Sequence, residues 1–117
     1  LGLKGQFKQI NGVNVLCTFL DLDHADAIKQ IAYDLRQEMA PMYLAIGAVV
    51  GGKANLSVMM SDDVVAQKAW KAKDMIKSVS GLIKGGGGGQ DFYATAGGSN
   101  PDGLQEALAQ LEKTVSA

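Results

Sequence analysis

The chain has 117 residues, of which 47% are hydrophobic and 20% charged, enough to bury one modest core and too few for two full domains. Its 11 Lys and Arg stand against 12 Asp and Glu for a formal net charge of -1, which excludes the global basic field of a typical nucleic-acid binder or polybasic membrane anchor; an anionic partner must meet a local patch. The longest apolar stretch, around Met42 to Val50, falls far short of the ~20 residues that span a bilayer. No membrane partner is expected. The lone cysteine, Cys17, has no internal partner and fits a reducing, cytoplasmic compartment. The sequence opens on Leu1 without an initiator Met or signal segment, which reads as a piece of a longer polypeptide.

Phe7 to Ile10 and Val13 to Leu20 flank Asn11-Gly12, the dipeptide best suited to two positive-φ turn positions, and predict a β-hairpin. Asp21-Leu22-Asp23 offers a helix cap before Ile28, Ile31, Ala32, Leu35 and Met39, a helical stripe that stops before Pro41. Met42 to Val50 is apolar on both alternating faces, as in a strand covered on both sides. Ala54, Leu56, Val58 and Met60 alternate with Asn55, Ser57, Met59 and Ser61, predicting a strand with one buried and one mostly polar face. A three-residue loop through Lys53 sets Leu56 opposite Ala48 and Val58 opposite Ile46, gathering the large apolar side chains on one face; a two-residue loop at Gly51-Gly52 would set Leu56 opposite Gly47. The three-residue register is the expected one.

Ser61 or Asp62 caps a second helix whose stripe is Val65, Ala69, Ala72, Ile76, Val79 and Ile83, ending near Gly81. Phe92 to Thr95 reads as a short strand stopped by Gly97-Gly98, and Asn100 with Pro101 starts a last helix buried through Leu104, Ala107, Leu108, Leu111 and Val115. The expected fold class is α/β (α+β), a single domain over residues 1–117 with a mixed β-sheet packed with three helices in the order ββ-α-ββ-α-β-α.

The run Gly85 to Gly89 is the most unusual feature, since each glycine loses more backbone entropy on folding than any other residue. An ordinary flexible linker is the bland reading. A predicted helix and strand flank the run inside one small domain, which favours a contact loop whose backbone N–H groups approach an anion or the sugar edge of a nucleic acid. The run lacks the Lys-Ser/Thr pair of a P-loop and does not run from strand into helix, so it predicts no ATP site. Trp70, Lys73 and Lys77 sit at helical spacing away from the buried stripe, a stacking-plus-phosphate arrangement if exposed and ordinary packing and solvation otherwise. Asp21, Asp23, His24 and Asp26 are read as helix-capping groups rather than a metal site, with Asp23 at the cap and Asp26 three residues on. Cys17, alternating with Val13, Val15 and Phe19, is read as a buried apolar thiol, and Asp62-Asp63 as a helix start.

The segment Lys84-Gly85-Gly86-Gly87-Gly88-Gly89-Gln90-Asp91-Phe92-Tyr93-Ala94-Thr95-Ala96-Gly97-Gly98, continued by Ser99-Asn100-Pro101, resembles the DHHA1 domain at the C-terminus of alanyl-tRNA synthetases: a glycine cluster, a short strand ending in Ala-x-Ala-Gly-Gly, then an N-capped helix. Asn11-Gly12-Val13 and Lys71-Ala72 extend the likeness over nearly the whole chain. Two positions depart from the pattern. Gln90-Asp91 stands where the family often has Arg-Pro or Gln-Pro, placing a negative charge beside the contact loop, and Lys71-Ala72-Lys73 stands where it commonly reads Lys-Ala-Gly.

The resemblance implies a non-catalytic tRNA-binding module that contacts the outer corner of alanine-specific tRNA and helps couple aminoacylation to editing. The spacing of the tryptophan and lysines, the glycine run and this resemblance together point to Trp70, Lys71, Lys73, Lys77, Lys84, Gly85 to Gly89, Gln90, Gly97 and Gly98, with no catalytic or metal residue. ATP and Mg for aminoacylation and zinc for editing are expected only in the rest of the parent chain, along with the other parent domains as partners and a homodimer supported by a neighbouring helical part. The alternatives are a structural domain that docks another protein through Trp70 and the loop, and the DHHA1 domain of a DHH phosphoesterase or exonuclease.

Overall fold

Asn11 and Gly12 both adopt positive φ, 53° and 82°, and close a hairpin between β1 (Lys8–Ile10) and β2 (Val13–Phe19), as the Asn-Gly signal requires. The computed structural model describes residues 5–20 and 24–116. After β2 come α1 (Ala25–Glu38), β3 (Met42–Val50), β4 (Lys53–Met60), α2 (Asp62–Lys68), α3 (Ala72–Ser80), β5 (Gly85–Gly89), β6 (Tyr93–Gly98) and α4 (Leu104–Ser116). Single 3-10 turns precede β5 and α4. The six strands form one mixed sheet in the order β1-β2-β3-β4-β6-β5, with β2 and β3 parallel and the other pairs antiparallel. Among the described residues the fold is thus the expected single α+β domain, with four helices instead of three.

Strand alternation sorts the core into two layers. Tyr43, Ala45, Leu56, Val58, Met60, Ala94 and Ala96 face α2, α3 and α4, whereas Leu44, Ile46, Ala48 and Met59 face Ile28, Ala32 and Leu35 of α1. The stripes read for α1 and α4 are the stripes that pack. His24, rather than Asp23, occupies the cap position of α1, with Asp26 in its first turn; Asp21 and Asp23 lie outside the described residues.

The register between β3 and β4 differs from expectation. Leu56 pairs with Gly47 and Val58 with Ala45, across a two-residue turn in which Gly51 and Gly52 take φ of 59° and 78°. Collecting large side chains on one face is the wrong criterion here, because Gly47 receives α4: a Cβ built there would lie 3.1 Å from Leu108 Cδ1 and 3.4 Å from Leu104 Cδ2. The bare backbone lets the helix settle closely, and its two leucines fill the space. The polar face expected for β4 is also wrong from Leu56 onward, since Ser57 and Met59 are buried beneath the α1 layer.

The long helix expected from Ser61 or Asp62 to near Gly81 is broken. Ala69 turns left-handed with φ 57°, ending α2, and α3 starts afresh after Trp70 and Lys71. The stripe shifts with the break, so Val64 is buried and Val65 only partly. Trp70 leaves the helical path to set its ring edge-on against Tyr43, centroids 6.0 Å apart at 79°; an aromatic contact and the apolar area it removes from water compensate one strained residue. At the junction, Ser61 Oγ accepts from the Met42 N–H at 2.8 Å and donates to Asp63, tying the start of α2 to β3.

Candidate nucleic-acid interface

The glycine run is a strand. All five residues of β5 pair with β6, from Gly85 opposite Gly98 to Gly89 opposite Ala94, and β5 forms one edge of the sheet. Glycine has weak intrinsic preference for strands, so the reason lies in packing. A Cβ at Gly85 would fall 1.9 Å from Gly97 O, at Gly87 2.0 Å from Thr95 O and at Gly89 2.5 Å from Tyr93 O. No rotamer relieves a clash between a Cβ and backbone. Gly98 is constrained likewise, its Cβ position lying 2.1 Å from Ile83 O. These four glycines are fixed by the close approach of β5 to β6 and to the turn before it, in the layer that α3 covers.

Gly86, Gly88 and Gly97 are different. Nothing lies within 4 Å of a Cβ at Gly86 or Gly88, and at Gly97 the nearest atom is Ala54 O at an ordinary 3.8 Å. None of the three has φ in the left-handed region. Space and backbone both permit a side chain, yet the sequence has none. The three lie together: Gly86 pairs with Gly97 and Gly88 with Thr95. Thr95 and Gly97 in turn pair with Ser57 and Asn55 of β4. At this end of the sheet, α1 stops covering the surface, and Thr95 and Gly97 are exposed.

Around this bare patch the surface is shallow and polar. A depression of about 330 Å³ is lined by Asp26, Lys29, Asn55, Tyr93, Thr95 and Gly97 among others. Next to it, Lys29 and Tyr33 line a second depression with Gly88, Gln90 and Thr95, and at the far end Lys53 and Asn55 line a third with Gly97, Gly98 and Ser99. The aromatic floor is fixed, with Tyr33 edge-on to Phe92 at 6.4 Å and to Tyr93 at 5.7 Å. Arg36 lies over the Phe92 ring, 4.7 Å from its centroid, and donates from Nε to Met60 O at 3.0 Å. Burial pushes the Tyr93 phenol above its usual range against an opposing hydrogen bond to Ser57, with Tyr33 adding to the rise. The hydroxyl stays a neutral hydrogen-bonding group at neutral pH.

The residues singled out from the sequence divide accordingly. Lys84, with φ 52°, Gly85 to Gly89, Gln90, Gly97 and Gly98 are gathered along the β5–β6 edge, as a strand rather than a loop, and Gly97-Gly98 continues β6 instead of stopping it. Trp70 does not form a platform with Lys73 and Lys77: it lies outside both helices and packs inward. Lys71, Lys73 and Lys77 belong to the cap and body of α3, in the layer opposite α1, and Lys73 pairs with Asp91 at 3.4 Å. Lys29 and Lys53 escaped the sequence reading, because neither is near the glycines in the chain; only the strand order brings them to the patch. Cys17, expected to be buried, is only partly so, although burial, then Glu112, against Lys8, pushes its thiol from a usual 9.0 up to about 12. Among the described residues, no group of three His, Cys, Asp or Glu is placed to hold a metal ion, and no helix is long and apolar enough to cross a membrane.

Fold and surface together define an α+β domain with helices on both sheet faces and one sheet end left open, lined by main chain and small polar groups. The chain belongs to the DHHA1 domain family, whose pattern matches residues 12–117. It is 44% identical over 113 residues to the alanine–tRNA ligase of Cytophaga hutchinsonii, covering 97% of this chain and 13% of that protein. With the alanine–tRNA ligase of Christiangramia forsetii it shares 45% identity over 113 residues, again 97% of this chain and 13% of the relative. The chain therefore spans about an eighth of the length of these relatives. Among solved structures, the crystal structure of the C-Ala domain from Aquifex aeolicus alanyl-tRNA synthetase superposes with a TM-score of 0.83 at 25% identity, covering 95% of this chain and 98% of that one.

Proposed function

We propose that this chain is the DHHA1 domain of an alanine–tRNA ligase and that it binds tRNA without catalysing a reaction itself, laying the bare patch of Gly86, Gly88 and Gly97 against the RNA. The observation that carries the reading is the presence of three neighbouring glycines which neither packing nor backbone conformation demands. Where sterics allow a side chain and none is present, close approach by another molecule's backbone is the physical reason left. Folded RNA is read largely through shape, ribose 2′-OH and phosphate contacts, and these need hydrogen-bonding main chain, small polar groups such as Asn55 and Thr95, and a few cations at the rim. Lys29, Lys53 and Lys84 supply the cations in this arrangement.

A chain of net charge -1 with few phosphate contacts binds weakly alone; tethering to the catalytic body raises the effective concentration of RNA at the patch. On this reading the domain grips the outer corner of alanine-specific tRNA and helps couple aminoacylation with editing, while ATP, Mg and zinc serve the rest of the parent chain.

Binding of a folded tRNA to Gly88→Val and to Lys29→Glu/Lys53→Glu, measured across a salt series, tests the proposal. Gly88→Val should weaken binding with the fold retained, and the lysine pair should also flatten the salt dependence, by about 0.7 to 0.9 in log–log slope per lost phosphate contact. Lys77→Glu, in the opposite layer, should do much less. Unchanged affinity for Gly88→Val together with a large loss for Lys77→Glu would overturn it.

A further inference from the structure

The bare patch ends at Gln90, and the next residue carries a negative charge that opposes the binding of an anion. Asp91 is firmly placed: its carbonyl accepts the Ala72 N–H at 2.8 Å, which holds it over the start of α3. Its Oδ1 is buried and makes no hydrogen bond; the counter-charge is Lys73 Nζ at 3.4 Å, within ion-pair range although not aligned as a hydrogen bond. The two side chains are 48% and 43% exposed, so each remains reachable from solvent.

Such a pair is lopsided. Lys73 is a flexible ammonium that can swing into water or onto a phosphate, but its departure leaves the half-exposed Asp91 carboxylate, one oxygen of which is buried without a hydrogen bond, lacking its counter-charge. We propose that Asp91 is a brake on RNA binding, holding Lys73 out of the phosphate-contacting set, so that RNA can recruit this lysine only by breaking the Asp91–Lys73 pair. This inference rests on the proposed tRNA-binding function and names a residue that limits its affinity and so speeds release. Lys73, at the start of α3 and paired with the residue that follows Gln90, is thereby conditional, unlike Lys29, Lys53 and Lys84.

The test is a double-mutant cycle on binding of a folded tRNA across a salt series, using the wild-type chain, Asp91→Asn, Lys73→Gln and the double variant, each checked for an unchanged thermal transition. Asp91→Asn keeps the shape and the carbonyl contact while removing the charge. It should tighten binding about threefold at low salt and steepen the log–log salt slope by about 0.7, the signature of one more phosphate neutralised. In the Lys73→Gln background the same substitution should change neither. An equal gain in both backgrounds would mean that Asp91 acts by general repulsion and overturns the proposal, as would no gain in either. If binding responds to Gly88→Val but not to Asp91→Asn, the brake alone falls; if no variant at the patch alters binding, the functional reading falls with it.

Discussion

Replacing single glycines of β5 by alanine should give opposite results at adjacent positions, a contrast that depends wholly on the close approach of two backbones. At Gly87 the new Cβ would lie 2.0 Å from Thr95 O, 2.5 Å from Ala96 Cα and 2.8 Å from Ala96 Cβ. Two of these atoms are main chain, so relief requires β5 to move off β6. Overpacking in a well-packed region costs about 1–3 kcal/mol, and with no flexible side chain to yield, the upper end applies. For a domain of this size 1 kcal/mol corresponds to roughly 4 °C in Tm, giving a drop of roughly 10 °C. At Gly88, where nothing lies within 4 Å and φ is not left-handed, alanine narrows the unfolded ensemble and should stabilise by about 0.4–1 kcal/mol. Urea and thermal unfolding followed by circular dichroism read both variants directly. Equal destabilisation at the two positions, or none at Gly87, would refute the argument that alternate glycines are fixed by packing.

Three other outcomes follow from the same structure. Gly47→Val should destabilise by roughly 1–3 kcal/mol in urea unfolding, because the Cβ position already lies 3.1 Å from Leu108 Cδ1 and a branched side chain would lift α4 from the sheet. Folding holds the Cys17 thiol protonated, moving it from 9.0 to about 12, and holds Tyr43 well above its usual 10.0, chiefly by burial. The unfolded chain therefore loses these protons first, so this contribution to stability is intact below pH 9 and is lost as pH climbs from there toward about 12; unfolding midpoints measured through that range should fall. For the same reason alkylation of Cys17 at pH 8 should be slow in the native protein and fast in denaturant.

Local chemistry made much of the fold legible. The Asn11-Gly12 turn, the stripes of α1 and α4, and the doubly covered β3 all rest on short-range patterns whose tertiary partners agree with them. The failures occur where a long-range contact decided. Nothing in Gln67-Lys68-Ala69-Trp70-Lys71 breaks a helix by propensity, and the break at Ala69 serves the Trp70–Tyr43 contact made across the layer. The glycine run looked like a loop because intrinsic preference opposes a strand; the alternation of small residues at Ala94, Ala96 and Gly98 on the face toward α3 was the available sign that backbones approach closely there. The candidate site was half visible. Its glycines and Lys84 stand in one stretch, but Lys29 and Lys53 reach the patch only through the β3–β4–β6–β5 order, and the inward turn of Trp70 could not be read from helical spacing.

On the proposed function, tRNA lies on the open end of the sheet. Amide chemical-shift mapping of the isotope-labelled chain during titration with a folded tRNA tests it most directly. Perturbations should concentrate at Lys29, Asn55, Gly86, Gly88, Thr95 and Gly97, with Val64 and Trp70 in the opposite layer unmoved. Shifts centred on Val64, Trp70 and Lys77, with Gly86, Gly88 and Gly97 unaffected at saturation, would contradict it.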